Sequence, residues 1–519
     1  MNSNTNILWA DDEIDILKPQ ILFLESKNYK VTPVTNGFDA LEKVKMEHFD
    51  VIFLDEQMPG MSGLETLGAI KEIRPHVPIV LITKSEEENL MDEAIGSKIS
   101  DYLIKPVNPR QIILTLKRLL DNSRLVTEKS TMDYQKTFNK LAMQIMNADS
   151  IESWMEVYQK LVYWELELQN NDDQNIADIL IMQKQEANNE FSKFIKKNYT
   201  EILDESYSES GPMMSHNLFK RLILPNINDD KSVFFILIDN LRLDQWKLIA
   251  RYLRDHIKLK EEGLFTSILP TTTQYSRNAI FSGYMPSDIA KHFPDKWINE
   301  DEEGSKNKFE EDLLREFLNR SLSKPIKWSY HKVFNFDFSK HVNSKLHQLL
   351  NNKLNVIVYN FVDMLSHART EVDIIKELAN DEAAYRKVTE SWFEHSPLYD
   401  LIKNLKDKKA KIIFATDHGT IRVQSPIKVV GDRSTTSNLR YKHGRSLQFN
   451  PKEVLDTSNP ETFKLPSPNI NSKYIFARSN DYMIYPNNYN HYVSYYKDTF
   501  QHGGISLEEM IIPFAIYNC

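Results

Sequence analysis

Apolar runs of strand length that end in a carboxylate constrain this chain more than any other feature. Val233 to Ile238 runs into Asp239, Val356 to Val362 into Asp363, and Lys411 to Ala415 into Thr416, Asp417 and His418. A short unbroken apolar run fits a parallel strand covered on both faces. Ligands of open α/β sheets bind beyond the carboxyl ends of such strands, so these acidic residues fall where a site belongs. At four-residue spacing Asp363 and His367 share a helix face and can bind one ion. A further imidazole, His502, stands in Gln501-His502-Gly503-Gly504, just before the apolar Met510 to Phe514.

Residues 1–121 repeat the pattern on a smaller scale. Ile7 to Ala10 ends in Asp11-Asp12-Glu13, Val51 to Leu54 in Asp55, Ile79 to Ile82 in Thr83, and Tyr102 to Ile104 in Lys105-Pro106. Amphipathic stretches such as Ile14 to Ser26 and Gly37 to Glu47 lie between them, which is the alternation of a parallel sheet. Asp11, Asp12 and Asp55 can hold a hard divalent ion such as Mg2+. Thr83 offers a hydroxyl and Lys105 a fixed charge to a phosphoryl group on Asp55.

From 122 to 205 the period changes to three and four, as in Ile151, Trp154, Tyr158 and Leu161, then Ile176, Ile179, Leu180, Ala187, Phe191 and Phe194. This predicts a helical bundle linker with a loop at Gln169 to Asp173. Its mixed charges supply no basic recognition helix, so direct reading of DNA is not expected.

On the acidic pair, Asp55 followed by Met58-Pro59-Gly60, Thr83 and Lys105-Pro106, residues 1–121 resemble response-regulator receiver domains. That resemblance implies a flavodoxin-like fold, phosphorylation of Asp55 by a sensor histidine kinase, Tyr102 as the switch aromatic, and a cis peptide at Lys105-Pro106. On Asp239, Asp363-x-x-x-His367, Asp417-His418 and His502-Gly503, in that order, residues 206–519 resemble the alkaline phosphatase superfamily and, within it, PglZ domains. The resemblance implies an alkaline-phosphatase-like α/β domain with two zinc ions. Asp363, His367 and His502 would hold one, and Asp239, Asp417 and His418 the other.

The implied nucleophile lies in Leu269-Pro270-Thr271-Thr272-Thr273. The superfamily's ten-residue spacing to a glycine, here Gly283, selects Thr273 and puts Ser276-Arg277 in the sulfatases' Ser-Arg register. Thr272 is the alternative if the turn is one residue tighter. No cysteine is available for conversion to formylglycine, so sulfatase chemistry is not expected. Structural zinc sites are closed and cysteine-rich, whereas this donor set is carboxylate and imidazole, which favours catalysis.

Further along, Lys428, Arg433, Arg440, Lys442, His443 and Arg445 form a basic run that is either a solvated face or a polyanion holder at the site mouth. Arg277, Lys442, His443 and Arg445 are the substrate-binding candidates. Tyr275, Tyr284 and Tyr441 either pack or stack bases. The acidic stretch Asn299 to Gly304 reads as a solvated loop.

A chain of 519 residues exceeds one core, so several domains are expected. A net charge of -9 argues against a general nucleic-acid coat. One cysteine, Cys519, permits no intrachain disulfide and fits a reducing compartment. The N-terminal residues lack a signal-peptide pattern, and the apolar runs fall far below the ~20 residues of a membrane helix. A soluble cytoplasmic protein without membrane insertion is expected.

The order receiver, helices, PglZ-like domain resembles the PorX-type response regulators of Bacteroidota, which are associated with type IX secretion and gliding. The function expected is a phosphorylation-controlled zinc phosphodiesterase acting on nucleotides or oligonucleotides, dimeric when Asp55 is phosphorylated. The alternative is a non-catalytic scaffold that binds a sigma factor or a secretion component.

Overall fold

Alternate residues along the N-terminal strands feed two separate apolar clusters. Ile7, Trp9, Val51, Phe53, Val80 and Ile82 pack on one face, and Leu8, Ala10, Ile52, Leu54, Ile79 and Leu81 on the other. A strand with both faces covered has no polar side, which is why these runs are apolar throughout. The computed structural model describes residues 5–27, 29–47, 49–74, 77–84, 99–169, 174–227, 231–300, 302–432, 435–457, 459–469 and 471–519. Within it the chain forms two compact units, Met1–Asp133 and Tyr134–Cys519.

The first unit holds β1 (Thr5–Ala10), β2 (Tyr29–Val34), β3 (Val51–Asp55), β4 (Ile79–Thr83) and β5 (Asp101–Ile104). They pair in parallel in the order β2-β1-β3-β4-β5. This is the flavodoxin-like order, whose crevice opens between β1 and β3 where the winding reverses. Asp11 follows β1 and Asp55 ends β3, so the topology alone brings them together. The helix at Gly63–Ile73 starts on a capping box in which Ser62 and Glu65 satisfy each other's backbone N–H groups.

The second unit is organised around a six-stranded sheet. Its members are β6 (Ser232–Ile238), β7 (Lys258–Thr266), β8 (Trp328–Val333), β9 (Leu354–Tyr359), β10 (Ala410–Ala415) and, after the excursion described next, β18 (Ile511–Asn518). Between β10 and β18 come three small sheets: β11 (Ile421–Arg422) with β17 (Phe500–Gln501), β12 (Ser425–Lys428) with β16 (Asp481–Ile484), and β13 (Tyr441–Gly444), β15 (Lys473–Ala477) and β14 (Val454–Thr457). The large sheet runs β7-β18-β10-β6-β9-β8. β10, β6, β9 and β8 are parallel, while β18 is antiparallel to both neighbours. Consequently Asp239 after β6, Asp363 after β9 and Asp417 after β10 all emerge at one edge.

Helices Ile151–Leu168 and Gln174–Glu205 place Trp154, Tyr158, Leu161, Phe191 and Ile195 in the same apolar core as β6, β9 and β10. The three-and-four spacing of the linker is thus a buried seam against this unit. Of the expected loop Gln169 to Asp173, residues 170–173 lie outside those described. Among the described residues no helix is long and apolar enough to cross a membrane.

Candidate functional site

Two groups of ligand-type side chains stand at the carboxyl edge of the large sheet. Asp239, Asp417 and His418 offer donor atoms that all lie within 4.8 Å of one another, and so do Asp363, His367 and His502. His418 Nε2 is 3.7 Å from Asp239 Oδ1 and 3.8 Å from Asp417 Oδ2. His502 Nε2 is 3.4 Å from Asp363 Oδ1, and His367 Nε2 is 3.6 Å from Asp363 Oδ2. The groups adjoin, since the His418 and His502 rings stack with centroids 4.4 Å apart.

The first group is closed and the second is open on one side. Asp239, Asp417 and His418 are fully buried, whereas the His367 side chain is 61% exposed. His418 Nδ1 lies 3.1 Å from the Gly419 carbonyl, which can only accept, so Nδ1 carries the proton and Nε2 turns a lone pair to the site. Burial pulls the His418 imidazole down to about 4, so it stays neutral. Burial also raises the Asp239 carboxyl well above its usual range, with Asp417 and Asp363 adding repulsion, and Arg277 only partly offsets this. Burial opposes ionisation of Asp363 too, but the hydrogen bond and charge of His502 hold it below the usual range.

Arg277 donates to Asp417 Oδ2 at 2.9 Å, pairs with Asp239 and lies 3.5 Å from Glu310. One guanidinium is therefore shared among Asp239, Asp417 and Glu310, a shortage of positive charge that divalent cations would correct. The His502 Nδ1 is buried and makes no hydrogen bond among the described residues. The donor set and these charges fit divalent metal ions.

Thr273 opens the helical turn Thr273–Arg277, and its Oγ1 lies 3.3 Å from Asp239 Oδ1 and 3.2 Å from His418 Nε2. Thr272 instead stands at the N-cap of that turn and faces the Tyr441 hydroxyl. Thr271 fixes the loop from behind: its hydroxyl donates to the Gly504 carbonyl and accepts from the Gly503 N–H. Gly503 is required there, with φ at +123° and a Cβ that would stand 2.7 Å from Tyr441 Cδ1.

Several residues that support the site carried no legible signal in the sequence. Asn240 sits at φ 63°, a region Asn tolerates better than most residues, and its side chain reaches Asp363 at 3.4 Å while its N–H reaches Asp417 at 3.3 Å. Asn360 donates to Asp239 at 2.9 Å. Asn307, three residues past the acidic stretch, donates to the Thr273 carbonyl at 2.8 Å. Glu300 accepts a hydrogen bond from the Tyr441 hydroxyl, so this stretch is anchored at its start and is not simply a solvated excursion.

The basic run is largely consumed in packing. Arg440 is fully buried on Glu509, and Lys442 is buried with its Nζ 3.0 Å from the Thr436 carbonyl and 4.4 Å from the Tyr485 ring centroid. Burial pushes the Lys442 amine down to about 7. His443 stacks on Tyr474, and Lys428 and Arg445 are exposed. Arg433 lies outside the described residues. Tyr275 and Tyr441 are buried and Tyr284 lies under Arg320, so packing, not base stacking, is what their surroundings support. Arg277 is likewise taken up entirely by carboxylates.

A third group, Glu165, Asp244 and Glu382, is neutralised by the chain itself. Arg386 lies 2.5 Å from Glu165 and 3.3 Å from Asp244, Arg242 2.6 Å from Glu382, and Lys184 2.9 Å from Glu165 and 3.1 Å from Glu508.

In the first unit, Lys105 Nζ stands 2.9 Å from both Asp11 Oδ2 and Asp55 Oδ2. Asp11, Asp12 and Asp55 also lie within 4.8 Å of one another, with Asp12 exposed. Burial, only partly offset by Lys105, pushes the Asp55 carboxyl up to about 6. Thr83 is buried at the end of β4, Tyr102 is 42% exposed, and the Lys105-Pro106 peptide is cis.

The comparisons with known proteins follow this division. Residues 7–117 match the response regulator receiver domain, 124–203 the PorX response regulator linker domain, and 218–517 the BREX system PglZ alkaline phosphatase-like domain. The transcriptional regulatory protein ResD of Bacillus subtilis is 35% identical over 118 residues, 23% of this chain and 49% of ResD. ZraR of Klebsiella oxytoca is 34% identical over 145 residues, 27% of this chain and 33% of ZraR. The chain thus spans between a third and about half of the length of the curated relatives it matches. A CheY-like receiver domain protein from Methanospirillum hungatei superposes on 24% of this chain and 98% of its own, with 28% identity and a TM-score of 0.23. With receiver, linker and phosphatase-like domain following one another in this order, the chain belongs to the PorX-type response regulators.

Proposed function

We propose that the PglZ domain is a two-zinc phosphodiesterase acting on nucleotides or oligonucleotides, and that phosphorylation of Asp55 controls it. The observation that carries this reading is the Thr273 hydroxyl, 3.2 Å from His418 Nε2 and 3.3 Å from Asp239 Oδ1, beside a second ligand group. Zinc held by Asp239, Asp417 and His418, and by Asp363, His367 and His502, would lower the pKa of a bound hydroxyl and stabilise charge on attacking and leaving oxygens. The Thr273 oxygen displaces one ester oxygen at phosphorus, and water then hydrolyses the phosphothreonyl ester. Arg277 orients Asp239 and Asp417 and is spent on them. No guanidinium of this loop is therefore left for the second charge of a monoester, which supports a diester.

The receiver domain implies a phosphodonor histidine kinase. A phosphoryl group on Asp55 would engage Lys105 and Thr83, with Mg2+ on Asp11, Asp12 and Asp55, and favour a homodimer through the Thr83 and Tyr102 side of the sheet. Inside the second unit, the chain of ion pairs from Glu165 and Lys184 to Glu508 ties the linker helices to the turn before β18. The Glu508 carbonyl lies 2.0 Å from where a Cβ on Gly419 would stand, next to His418, so movement of those helices is felt at the site. The family resemblance further supports a cytoplasmic role in type IX secretion. A screen of phosphate esters with and without chelator tests the proposal: chelator-sensitive cleavage of a diester in preference to its monoester is expected. Absence of turnover by zinc-loaded protein would leave the domain a binding module for a sigma factor or secretion component.

A further inference from the structure

Four neighbouring parallel strands build the carboxyl edge of the large sheet, and three of them lead into ligand-type residues: β10 into Asp417, β6 into Asp239 and β9 into Asp363. The fourth, β8, leads into Phe334-Asn335-Phe336-Asp337-Phe338 instead. These rings are open, with Phe334 56% exposed, Phe336 52% and Phe338 38%. Large apolar side chains exposed together mark an interaction site.

The local fold does not account for Phe334. Asn335 caps helix Phe336–Ser344, its side chain accepting from the Phe338 N–H at 2.9 Å. An apolar residue just before such a cap often packs against the fourth helical residue. Here that residue is Ser339, buried with its hydroxyl 3.1 Å from the Tyr359 hydroxyl at the end of β9. By contrast, Phe361 is stacked on Trp392 with centroids 4.6 Å apart, and Tyr275 and Tyr441 are buried.

Two routes tie Phe334 to the nucleophile turn. The Val333 carbonyl accepts from the Asn360 N–H at 3.3 Å, the Asn360 side chain donates to Asp239 at 2.9 Å, and Asp239 meets the Thr273 hydroxyl at 3.3 Å. The Phe334 ring centroid lies 5.6 Å from Lys332 Nζ, which is held 3.1 Å from Glu310 Oε1, and that oxygen is 3.5 Å from Arg277 Nη1 at the end of the Thr273–Arg277 turn. The ring is therefore on the nucleophile's side of the sheet. Across the sheet, β8 stands two strand spacings, about 10 Å, from β6. A base joined to the phosphate at Thr273 can cover that span. Lys340 Nζ stands 4.5 Å from the Phe336 centroid, closer than Lys332 to Phe334, which leaves Phe334 the more open ring.

We propose that Phe334 is an aromatic platform that stacks a base of the nucleotide whose phosphodiester lies at Thr273. This rests on the phosphodiester reading above and deepens it: the substrate is selected for carrying a base, whichever base that is, because every base has an aromatic face. Lys332 is spent on Glu310, so the contact adds no charge to the interaction.

The test is the affinity of a dinucleotide and of its abasic analogue for the full zinc-loaded Thr273→Val chain across a salt series, with turnover of both diesters by the parent chain followed in parallel. Tighter binding of the dinucleotide is expected. Phe334→Ala should remove that advantage, a loss of roughly 5- to 150-fold, and leave the abasic diester and the salt slope unchanged. Phe334→Trp should restore it, and Phe336→Ala should cost less. Equal affinity for the two diesters, an equal loss of both in Phe334→Ala, or no binding of either would overturn the platform. So would a Phe334→Ala chain that binds both normally but no longer changes its mass with concentration as the parent does, which would make this face a contact between copies. Base-dependent binding through Phe334 without turnover by the parent chain would sink the catalytic reading and leave the platform standing. Turnover of both diesters at rates that Phe334→Ala does not alter would do the reverse.

Discussion

The two acidic sites of this chain share a geometry and differ in how their charge is balanced. Each lies at the carboxyl ends of neighbouring parallel strands, β1 and β3 in the first unit and β6, β9 and β10 in the second. In the first, Lys105 reaches two carboxylates, every ligand-type donor is an oxygen, and Asp12 is open to solvent. In the second, imidazoles stand among carboxylates in a nearly closed edge, and the Arg277 guanidinium that touches the ligands is pinned behind them. Oxygen donors with a resident ammonium suit a hard ion that comes and goes with a phosphoryl group. Buried mixed nitrogen and oxygen donors suit a retained, softer ion. On the function proposed, the same strand-end architecture would serve a transient metal site in the first unit and a permanent one in the second.

The largest effect expected is at the second site. Thr273→Val removes the hydroxyl that faces Asp239 and His418 while keeping its volume, and turnover should fall at least about 10³-fold with metal content unchanged. Thr272→Val should cost far less, because that hydroxyl faces Tyr441. Steady-state rates with zinc analysis of both variants check this, and equal losses would reassign the nucleophile.

One buried group in each unit, His216 and Asp55, should also answer pH with opposite sign. His216 is buried on Ser206 at 3.2 Å, and burial pulls its imidazole down to about 4 from 6.5. Between those values the unfolded chain binds the extra proton. The contribution of His216 to the stability of the second unit therefore rises with pH through this window, by up to about 3 kcal/mol, and is fully present above pH 6.5. In the first unit, the Asp55 carboxyl is pushed up to about 6 from 3.8, so the folded form holds the proton longer. Its contribution falls as pH rises through that window. Asp55→Asn should then stabilise the first unit at neutral pH by about 1–2 kcal/mol, allowing for screening by solvent. Calorimetry in chelator, with His216→Gln and Asp55→Asn assigning the transitions, measures both. Differences between the parent chain and the two variants that change with pH in the same direction would break the contrast.

What the sequence disclosed depended on whether the signal was local. Strands that bury both faces write themselves as apolar runs, so Asp55, Asp239 and Asp417 were visible at or just past their ends; the run to Val362 instead breaks after Tyr359, so Asp363 lies in the first turn of helix Phe361–Glu371, where the helix period sets His367 over it. Partners across more than a hundred residues leave no such mark. Nor do those several dozen residues apart: Arg440 looked like a surface cation, yet it is buried on Glu509. Lys442 looked like a phosphate ligand, yet it lies under Tyr485. Glu310, which receives Arg277 and Lys332 behind the site, has nothing in its sequence neighbourhood that marks it as a partner of Arg277.

The most direct test of the contrast between a transient and a permanent metal site is native mass spectrometry of the full chain, purified without added metal. Two zinc ions per chain are expected, with no Mg2+ retained at Asp11, Asp12 and Asp55. His418→Ala and His367→Ala should each keep close to one zinc, because each removes one of three protein ligands from one site. A chain that carries no zinc, or variants that both keep two, would contradict the account.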